Sequence, residues 1–369
     1  MAEFRMPSLG ADMVAGTLVE WRVQPGDQVS RGQVIAEVDT EKGAVEIEVF
    51  ETGEVVELLV EPGTKVPVGT PLAMIRGSGA AVREPAPGTP ATPPPSSGAR
   101  AAGRRRVSPL ARRRAEELGV DLETVVGSGP EGAVVLQDVE AGVSPPPDRQ
   151  PAMRRAIAAA MSRSKREIPH YYLATEVDAG PLLSWLTSRN ANRAPAERLL
   201  AAAPLLRAVT LALARHPTLN GRFTGQGFEP SRAIHLGVAI SLRQGGLVAP
   251  AIHDALDKSV EQLMAALSDL IGRVRSGSVR SSELSDPTVT VTSLGETGVP
   301  TVFGVIFPPQ VAIVGLGRIT TRPWVVGGQV VPRPVLTATL AADHRVSDGH
   351  EGARFLATLE GLLAEPERL

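Results

Sequence analysis

Residues 38–50, VDTEKGAVEIEVF, place one lysine between two strand-like runs. Val45 and Ile47 alternate with glutamates, as expected for a strand with one buried face. Gly43, directly after Lys42, favours a tight turn. A solvated turn lysine is the ordinary interpretation of such a residue, so the sequence on either side decides what Lys42 does.

The two sides of this lysine repeat one another. Residues 16–38, GTLVEWRVQPGDQVSRGQVIAEV, match residues 53–75, GEVVELLVEPGTKVPVGTPLAMI, at one constant offset. The pattern of each half predicts short strands separated by Pro-Gly and Gly turns. Two such halves can close a small sandwich with approximate twofold symmetry, because neither half can bury its apolar face alone. Lys42 then lies at the hairpin between the halves.

Residues 1–76 resemble a lipoyl domain, and DTEKGAVEIE resembles the lysine turn of that family. The resemblance implies an all-β sandwich in which Lys42 carries covalent lipoate in amide linkage. Biotin-carrier domains share this fold, but their lysine usually lies between two methionines, whereas Lys42 lies between Glu41 and Gly43. The chain contains no cysteine, and a lipoyl arm would supply the thiols that it lacks.

The composition restricts the possible functions. A length of 369 residues allows two or three domains, and an apolar content of 43% is ordinary for globular cores. A net charge of −2 and an aromatic content of 3% argue against nucleic-acid binding. The lack of cysteine excludes disulfides, thiolate nucleophiles and cysteine metal sites. We see neither a signal-peptide core nor a run of about 18 apolar residues, so we expect a soluble cytoplasmic protein without a membrane partner.

Residues 77–105 are rich in proline and alanine and contain almost no large apolar side chains. Such a segment cannot bury a core, so it predicts a flexible linker with locally extended backbone. The run of arginines where the linker ends, Arg104, Arg105 and Arg106, is interpreted as solvated charge and not as a nucleic-acid patch.

Residues 106–142 predict a small two-helix unit. Ser108 is the expected N-cap and Pro109 the first residue of the first helix. Its buried side is predicted to contain Leu110, Ala111 and Leu118. LQDVEA, after the loop GSGPEG, predicts a second short helix.

This unit resembles the peripheral-subunit-binding domain of 2-oxo acid dehydrogenase complexes. The resemblance implies two kinds of partner, a 2-oxo acid decarboxylase and dihydrolipoamide dehydrogenase. Arg112 and Arg113 match basic positions that dock acidic partners in that family. Glu116 and Ala133 replace basic residues of the family pattern, so the resemblance implies a docking mode that departs from the usual one.

After a short linker at residues 143–150, residues 151–369 read as one continuous α/β domain. Its patterns predict a helix at MRRAIAAAMSRSKRE and a long helix, AERLLAAAPLLRAVTLALARHP, ended by Pro217. The predicted strands are HYYLATEVD, IHLGVAISL, TVTVTSLG, QVAIVGLG and PVLTATLAAD.

Two segments of this domain carry candidate chemistry. In residues 343–355, DHRVSDGHEGARF, His344 follows a strand, Asp348 and Gly349 are predicted to form a turn, and a helix with an apolar face follows. An isolated match of this kind is equally consistent with a core or capping histidine. In TVTVTSLG, Thr292 places a hydroxyl near the end of a second strand.

In this order behind a lipoyl-like domain, the two segments resemble the catalytic domain of dihydrolipoamide acyltransferases, an α/β domain similar to chloramphenicol acetyltransferase. The resemblance implies that His344 is the general base and that the hydroxyl of Thr292 faces the oxyanion. It makes Asp348 a structural carboxylate of the motif, which could orient His344 or pair with Arg345. It also implies coenzyme A as a substrate and a homotrimer that assembles into a larger core. Gly245 stands where that family often has a carboxylate near coenzyme A.

The implied reaction is acyl transfer between the lipoyl arm and coenzyme A, with acetyl as the expected acyl group. A thiol of pKa roughly 8.5 needs a base near neutrality, and an imidazole of pKa about 6.5 suits that role. A binding-only scaffold is disfavoured because both Lys42 and His344 are present. A succinyl or branched-chain substrate on the same architecture remains the open alternative.

Overall fold

The structure is a computed structural model that describes residues 2–8, 13, 15–40, 43–77, 107–118, 133–136, 139, 149–242, 246–295 and 298–369. The chain divides into two compact units, residues 1–79 with 150–369, and residues 80–149. Lys42, Gly245 and the predicted linker after residue 77 lie outside the described residues.

The N-terminal domain is a sandwich of two sheets. One sheet has the strand order β1-β8-β6-β3, and the other has the order β5-β4-β2-β7, extended beyond β5 by a strand of the C-terminal domain. Their facing sides bury one apolar cluster that includes Leu18, Ile35, Ile47, Leu72 and Ile75. The eight strands are β1 (Ala2–Arg5), β2 (Ala15–Trp21), β3 (Gln28–Val29), β4 (Val34–Thr40), β5 (Gly43–Glu48), β6 (Gly53–Leu58), β7 (Lys65–Pro67) and β8 (Pro71–Gly77).

The turns of the sandwich confirm the internal repeat. Gly26 and its counterpart Gly63 have φ angles of 99° and 86°, and Gly32 and Gly69 have φ angles of 83° and 85°. Glycine adopts this left-handed region without the steric cost that a side chain would add. The two halves therefore turn at equivalent positions, and the predicted all-β sandwich is confirmed.

The small central unit begins with α1 (Pro109–Leu118). Ser108 Oγ accepts a hydrogen bond from Ala111 N at 3.1 Å, so the predicted N-cap is confirmed. Ala111 and Ala115 are buried against a cluster that includes Val134 and Val139. The prediction that Leu110 is buried is wrong: its exposed fraction is 65%.

The periodicity of the helix explains this error. Buried positions four residues apart share one face, and Leu110, one residue before Ala111, lies about 100° around the helix. Arg112 and Arg113 are exposed, as a docking role would require. The side chains of Glu116 and Leu118 and most of the predicted second helix lie outside the described residues.

The C-terminal domain is built on a seven-stranded mixed sheet. Its strand order is β15-β12-β17-β18-β20-β19, and β9 pairs with the other part of the long strand β20. Its strands are β9 (His170–Asp178), β12 (Leu236–Val238), β15 (Ala251–Ile252), β17 (Val289–Ser293), β18 (Ala312–Leu316), β19 (Thr320–Val326) and β20 (Gln329–Asp343). The remaining strands are β10 (Gly221–Thr224), β11 (Gly227–Pro230), β13 (Ile240–Ser241), β14 (Leu247–Val248) and β16 (Val279–Arg280).

Helices pack on this sheet and bury its apolar residues. They are α2 (Arg149–Glu167), α3 (Gly180–Asn190), α4 (Ala202–Arg215), α5 (Val260–Ser276), α6 (Ser281–Ser285) and α7 (Gly349–Ala364). The long predicted helix starts later than expected, at Ala202, but it ends before Pro217 as predicted. The core joins Leu206 and Val209 of α4 to Phe355 and Leu359 of α7. Among the described helices, none combines the length and the apolar character needed to cross a lipid bilayer.

Candidate active site

His344 lies in the turn that directly follows β20. Its backbone N donates a hydrogen bond to Pro169 O at 2.9 Å, which ties the turn to the residue before β9. The imidazole is exposed, and Tyr171 contacts it edge-on with ring centroids 5.4 Å apart. The ring is therefore accessible to a substrate and is supported on one side.

The turn is held by the buried carboxylate of Asp343. This side chain has no exposed surface, and it accepts hydrogen bonds from Arg345 N at 2.9 Å, Arg345 Nε at 3.0 Å and Arg345 Nη2 at 2.7 Å. The hydrogen bond to Asp343 raises the pKa of Arg345. The guanidinium also lies over the ring of Phe223, with Cζ 3.9 Å from the centroid. These contacts close the turn around His344 on both sides.

Tyr171 supplies a second brace that the sequence did not reveal. Its hydroxyl is hydrogen-bonded to Ser347 Oγ at 2.9 Å, and burial raises the pKa of the phenol. Tyr171 reaches the turn because β9 and β20 pair with Tyr171 opposite Ala342. In the sequence, Tyr171 is marked only by its place in HYYLATEVD. Its contact with Ser347 depends on the pairing register of β9 and β20, which are far apart in the sequence.

Asp348 is the N-cap of α7. Its Oδ1 accepts hydrogen bonds from Glu351 N and His350 N, both at 3.0 Å. The bond from Glu351 N, followed by that from His350 N, lowers the pKa of the carboxyl group. Gly349 is the first residue of the helix, so the predicted Asp348–Gly349 turn is in fact a helix start. The ion pair considered between Asp348 and Arg345 is wrong, since Arg345 binds Asp343.

The beginning of α7 is also fixed to α4 by a buried histidine. His216 Nδ1 lies 2.9 Å from Glu351 Oε1, and His216 Nε2 lies 3.0 Å from Thr358 Oγ1. His216 is 4% exposed, so this histidine has a structural role. In the sequence, His216 is marked only by its place directly before Pro217, the residue predicted to end the long helix.

His170 lies close to the same turn but is not placed to act as a base. Its Nδ1 lies 2.8 Å from Ile168 O, and its Nε2 accepts a hydrogen bond from Ile306 N at 3.2 Å. Burial lowers its pKa. Both ring nitrogens are therefore occupied by the backbone, and the neutral ring is favoured.

Thr292 lies on β17 and is half-buried, and no hydrogen bond joins its hydroxyl to another described residue. β18 lies between β17 and β20 in the sheet. Thr292 pairs with Gly315 of β18, and Gly315 pairs with Thr339 of β20. His344 lies beyond the end of β20, so strand spacings place the two residues roughly 15 to 20 Å apart in one chain. The structure does not bring Thr292 and His344 together within a single chain.

The strands around the predicted lipoyl attachment site are described, although Lys42 itself is not. β4 and β5 pair antiparallel, with Thr40 opposite Gly43. These strands end on either side of Lys42 in the sequence, which fits an attachment residue between two paired strands. Among the described residues, no group of three or more His, Asp or Glu side chains is placed to hold a metal ion.

The chain matches the models of three known protein families. Residues 149–369 match the family model of the 2-oxoacid dehydrogenases acyltransferase catalytic domain. The chain belongs to this acyltransferase family. Residues 2–75 match the biotin and lipoyl attachment family, described as biotin-requiring enzyme, and residues 105–140 match the e3 binding domain. The predicted combination of a lipoyl domain, a binding domain and an acyltransferase domain is confirmed.

Two curated relatives align with this acyltransferase over nearly its whole length. The lipoamide acyltransferase component of the branched-chain alpha-keto acid dehydrogenase complex of Pseudomonas aeruginosa is 34% identical, covering 99% of this chain and 98% of the relative. The dihydrolipoyllysine-residue acetyltransferase component of the pyruvate dehydrogenase complex of Zymomonas mobilis is 29% identical with the same coverage. The prediction of an acyltransferase enzyme is confirmed.

Two solved structures are similar to the acyltransferase domain. The cubic core of the pyruvate dehydrogenase multienzyme complex has a TM-score of 0.55 and 28% identity, covering 58% of this chain and 90% of that one. The dihydrolipoamide acetyltransferase of Azotobacter vinelandii has a TM-score of 0.55 and 27% identity, with the same coverage. In that enzyme, a serine, a histidine and an asparagine have been investigated for their roles in catalysis.

Proposed function

We propose that this acyltransferase transfers an acetyl group between a lipoyl arm on Lys42 and coenzyme A, with His344 as general base. The observation that carries the proposal is the exposed imidazole of His344 on a turn whose other polar side chains are fixed. Asp343 holds Arg345, Tyr171 holds Ser347, and Asp348 caps α7. Only the histidine is left free to meet a substrate.

The spacing of the site residues supports the same assignment. In the Azotobacter vinelandii enzyme, the serine precedes the histidine by the same interval as Thr292 precedes His344. The asparagine follows the histidine there by the same interval as Asp348 follows His344. We therefore assign the donor role to Thr292 and the positioning role to Asp348.

In this mechanism His344 takes the proton from the thiol of coenzyme A as the thiolate attacks the acyl carbonyl. Histidine is the side chain best suited to accept a proton at neutral pH. The hydroxyl of Thr292 donates a hydrogen bond to the oxyanion that develops on the carbonyl oxygen. As the oxyanion collapses, the original carbon–sulfur bond of the thioester breaks, and the imidazolium of His344 returns the proton to the sulfur that leaves. Lipoate bound to Lys42 would supply the dithiol that carries the acyl group.

We also propose that neighbouring subunits complete the site. Thr292 and His344 are too far apart in one chain to contact the same carbonyl group. A cyclic homotrimer joins the same two different surfaces at each interface, so every interface can place Thr292 of one chain against His344 of the next. The cubic core structure supports assembly into a larger core.

The proposed activity is tested with full-length protein from lipoate-fed cells. Intact-mass analysis should show one lipoyl adduct, and Lys42→Arg should lack it. Wild-type protein should form acyl-dihydrolipoamide from acetyl-coenzyme A faster than from succinyl or branched-chain acyl donors. An adduct that persists in Lys42→Arg would refute the attachment site.

The second candidate is a branched-chain acyl group, which the Pseudomonas aeruginosa relative favours by its name. The same donor panel separates the two candidates. A higher kcat/KM with isobutyryl- or isovaleryl-coenzyme A than with acetyl-coenzyme A would select the branched-chain function and reject acetyl.

We propose that the e3 binding domain docks dihydrolipoamide dehydrogenase or a 2-oxo acid decarboxylase, and that this assembly lies in the cytoplasm. We also propose that the predicted linkers separate three domains. The exposed Arg112 and Arg113 support the docking role. Mixing full-length protein with each partner enzyme should give co-elution that Arg112→Glu abolishes. Limited proteolysis should cut between residues 77 and 106, and protection of that whole segment would contradict the linker prediction.

A further inference from the structure

The catalytic domain covers the outer edge of the lipoyl sheet. β16 pairs in parallel with β5, with Val279 opposite Val45 and Arg280 opposite Glu46. Without β16, β5 would end its sheet, and a sheet edge presents unpaired backbone N–H and C=O groups. The catalytic domain therefore adds a short fifth strand to the sheet that contains β4 and β5.

Glu48 is the polar centre of this contact. Val45 and Ile47 point into the sandwich core, so the alternation of a strand places Glu48 on the outer face. Glu48 is nevertheless only 6% exposed. Its carboxylate accepts hydrogen bonds from Ser282 Oγ and, at 3.4 Å, from Ser282 N, while its backbone N donates to Ser281 Oγ at 3.2 Å. Burying a carboxylate is costly without such partners, so the two surfaces are chemically complementary at Glu48.

The catalytic side of the contact is braced chiefly by hydrogen bonds within the catalytic domain. Glu283 is buried and accepts hydrogen bonds from Arg273 Nη1 at 2.5 Å and Arg280 N at 3.0 Å. Leu284 packs both against the core of the sandwich and against a catalytic-domain cluster that contains Val279. The segment that receives Glu48 is therefore held in place by the catalytic domain itself.

We propose that the lipoyl domain docks on the catalytic domain of its own chain through this contact, formed by Val45, Glu46 and Glu48 with residues 279–284. The contact is small, and a cavity of about 360 Å³ lined by Ser8 and Leu284, among others, remains beside it. Small, incompletely packed contacts suit reversible association. Docking holds the lipoyl domain close to the catalytic domain and so raises its local concentration there. The proposal does not depend on the identity of the acyl group or on activity.

Disulfide trapping tests this contact directly, because the chain has no cysteine of its own. Glu46→Cys combined with Arg280→Cys places two thiols opposite each other on strands about 4.8 Å apart, a spacing that a disulfide can bridge. Full-length protein equilibrated in a glutathione redox buffer should form an intrachain disulfide, seen as a mobility shift and as a linked peptide pair. The matched control pairs Glu46→Cys with the exposed Arg232→Cys and should form at least about tenfold less disulfide, since Arg232 does not pair with β5.

Adding Glu48→Gln to the trapping pair tests the polar centre. Glutamine keeps an acceptor oxygen for Ser282 but loses the negative charge that strengthens these hydrogen bonds, so the equilibrium constant for disulfide formation should fall by roughly fivefold to tenfold. Glu57→Gln makes the same chemical change at an exposed position of β6 and should leave the constant unchanged. The proposal is overturned if the trapping pair forms no more disulfide than the control pair, if the disulfide joins only different chains, or if Glu48→Gln and Glu57→Gln behave alike.

Discussion

Asp343→Asn should destabilise the catalytic domain more than an ordinary surface change. The buried carboxylate presents Oδ1 to Arg345 N and Nε and Oδ2 to Arg345 Nη2. Asparagine can keep the oxygen that faces the backbone N, but it loses the charge and the acceptor that faces Nη2. Breaking a buried ion pair costs about 3–5 kcal/mol. The side chain of Arg345 is 34% exposed and can regain water, so we expect a loss of about 2–3 kcal/mol.

Urea unfolding at one fixed subunit concentration measures this loss, since stability of an oligomer depends on concentration. Asp257→Asn, at an exposed aspartate of the same domain, is the matched control and should change the free energy of unfolding by less than about 0.5 kcal/mol. Turnover of Asp343→Asn should also fall, because the turn that carries His344 loosens. If Asp343→Asn is as stable and as active as Asp257→Asn, the bracing role of Asp343 is refuted.

Three further variants test neighbouring contacts. Asp348→Asn should keep most of the turnover because asparagine also caps helices. Asp348→Ala, which removes the cap, should lose both turnover and thermal stability. A severe loss of turnover in Asp348→Asn would instead show that the negative charge is required. Tyr171→Phe removes the hydrogen bond to Ser347 and should lower the free energy of unfolding by about 1 kcal/mol, measured by urea unfolding; an unchanged value would show that this bond is not a brace. The hydrogen bond to Asp286 raises the pKa of His253. The stability that this pair contributes is therefore complete below about pH 6.5 and is lost as the pH rises through the folded-state pKa of His253. The free energy of unfolding, measured across this range, should lose this pH dependence in Asp286→Asn, and an unaltered pH profile would contradict the assignment.

Local sequence patterns predicted much of the fold. The repeat of Pro-Gly and Gly turns predicted the sandwich because left-handed glycines are required at fixed positions in each half. Ser108 was predictable as an N-cap because capping involves residues only three apart. The prediction for Leu110 failed because an apolar residue at a helix start can lie on either face.

The contacts that shape the site could not be predicted from spacing. Tyr171 meets Ser347 only through the register of β9 and β20. Glu48 looks like an ordinary outward-facing strand residue until the catalytic domain covers it. His344 and Thr292 were identifiable by motif, but their separation in one chain depends on β18 lying between their strands. Long-range pairing decides each of these features.

Subunit mixing tests the central claim most directly. Differently tagged His344→Ala and Thr292→Ala chains are co-expressed, and trimers that carry both tags are purified. His344→Ala alone should have almost no turnover, and Thr292→Ala alone should be slower than wild type by about a hundredfold to a thousandfold. If each site takes His344 from one chain and Thr292 from the next, every trimer that contains both kinds of chain has both residues in one of its three sites, so its turnover should be about a third of the wild-type value. Mixed trimers that recover no activity above the single variants would contradict the shared acyl-transfer site.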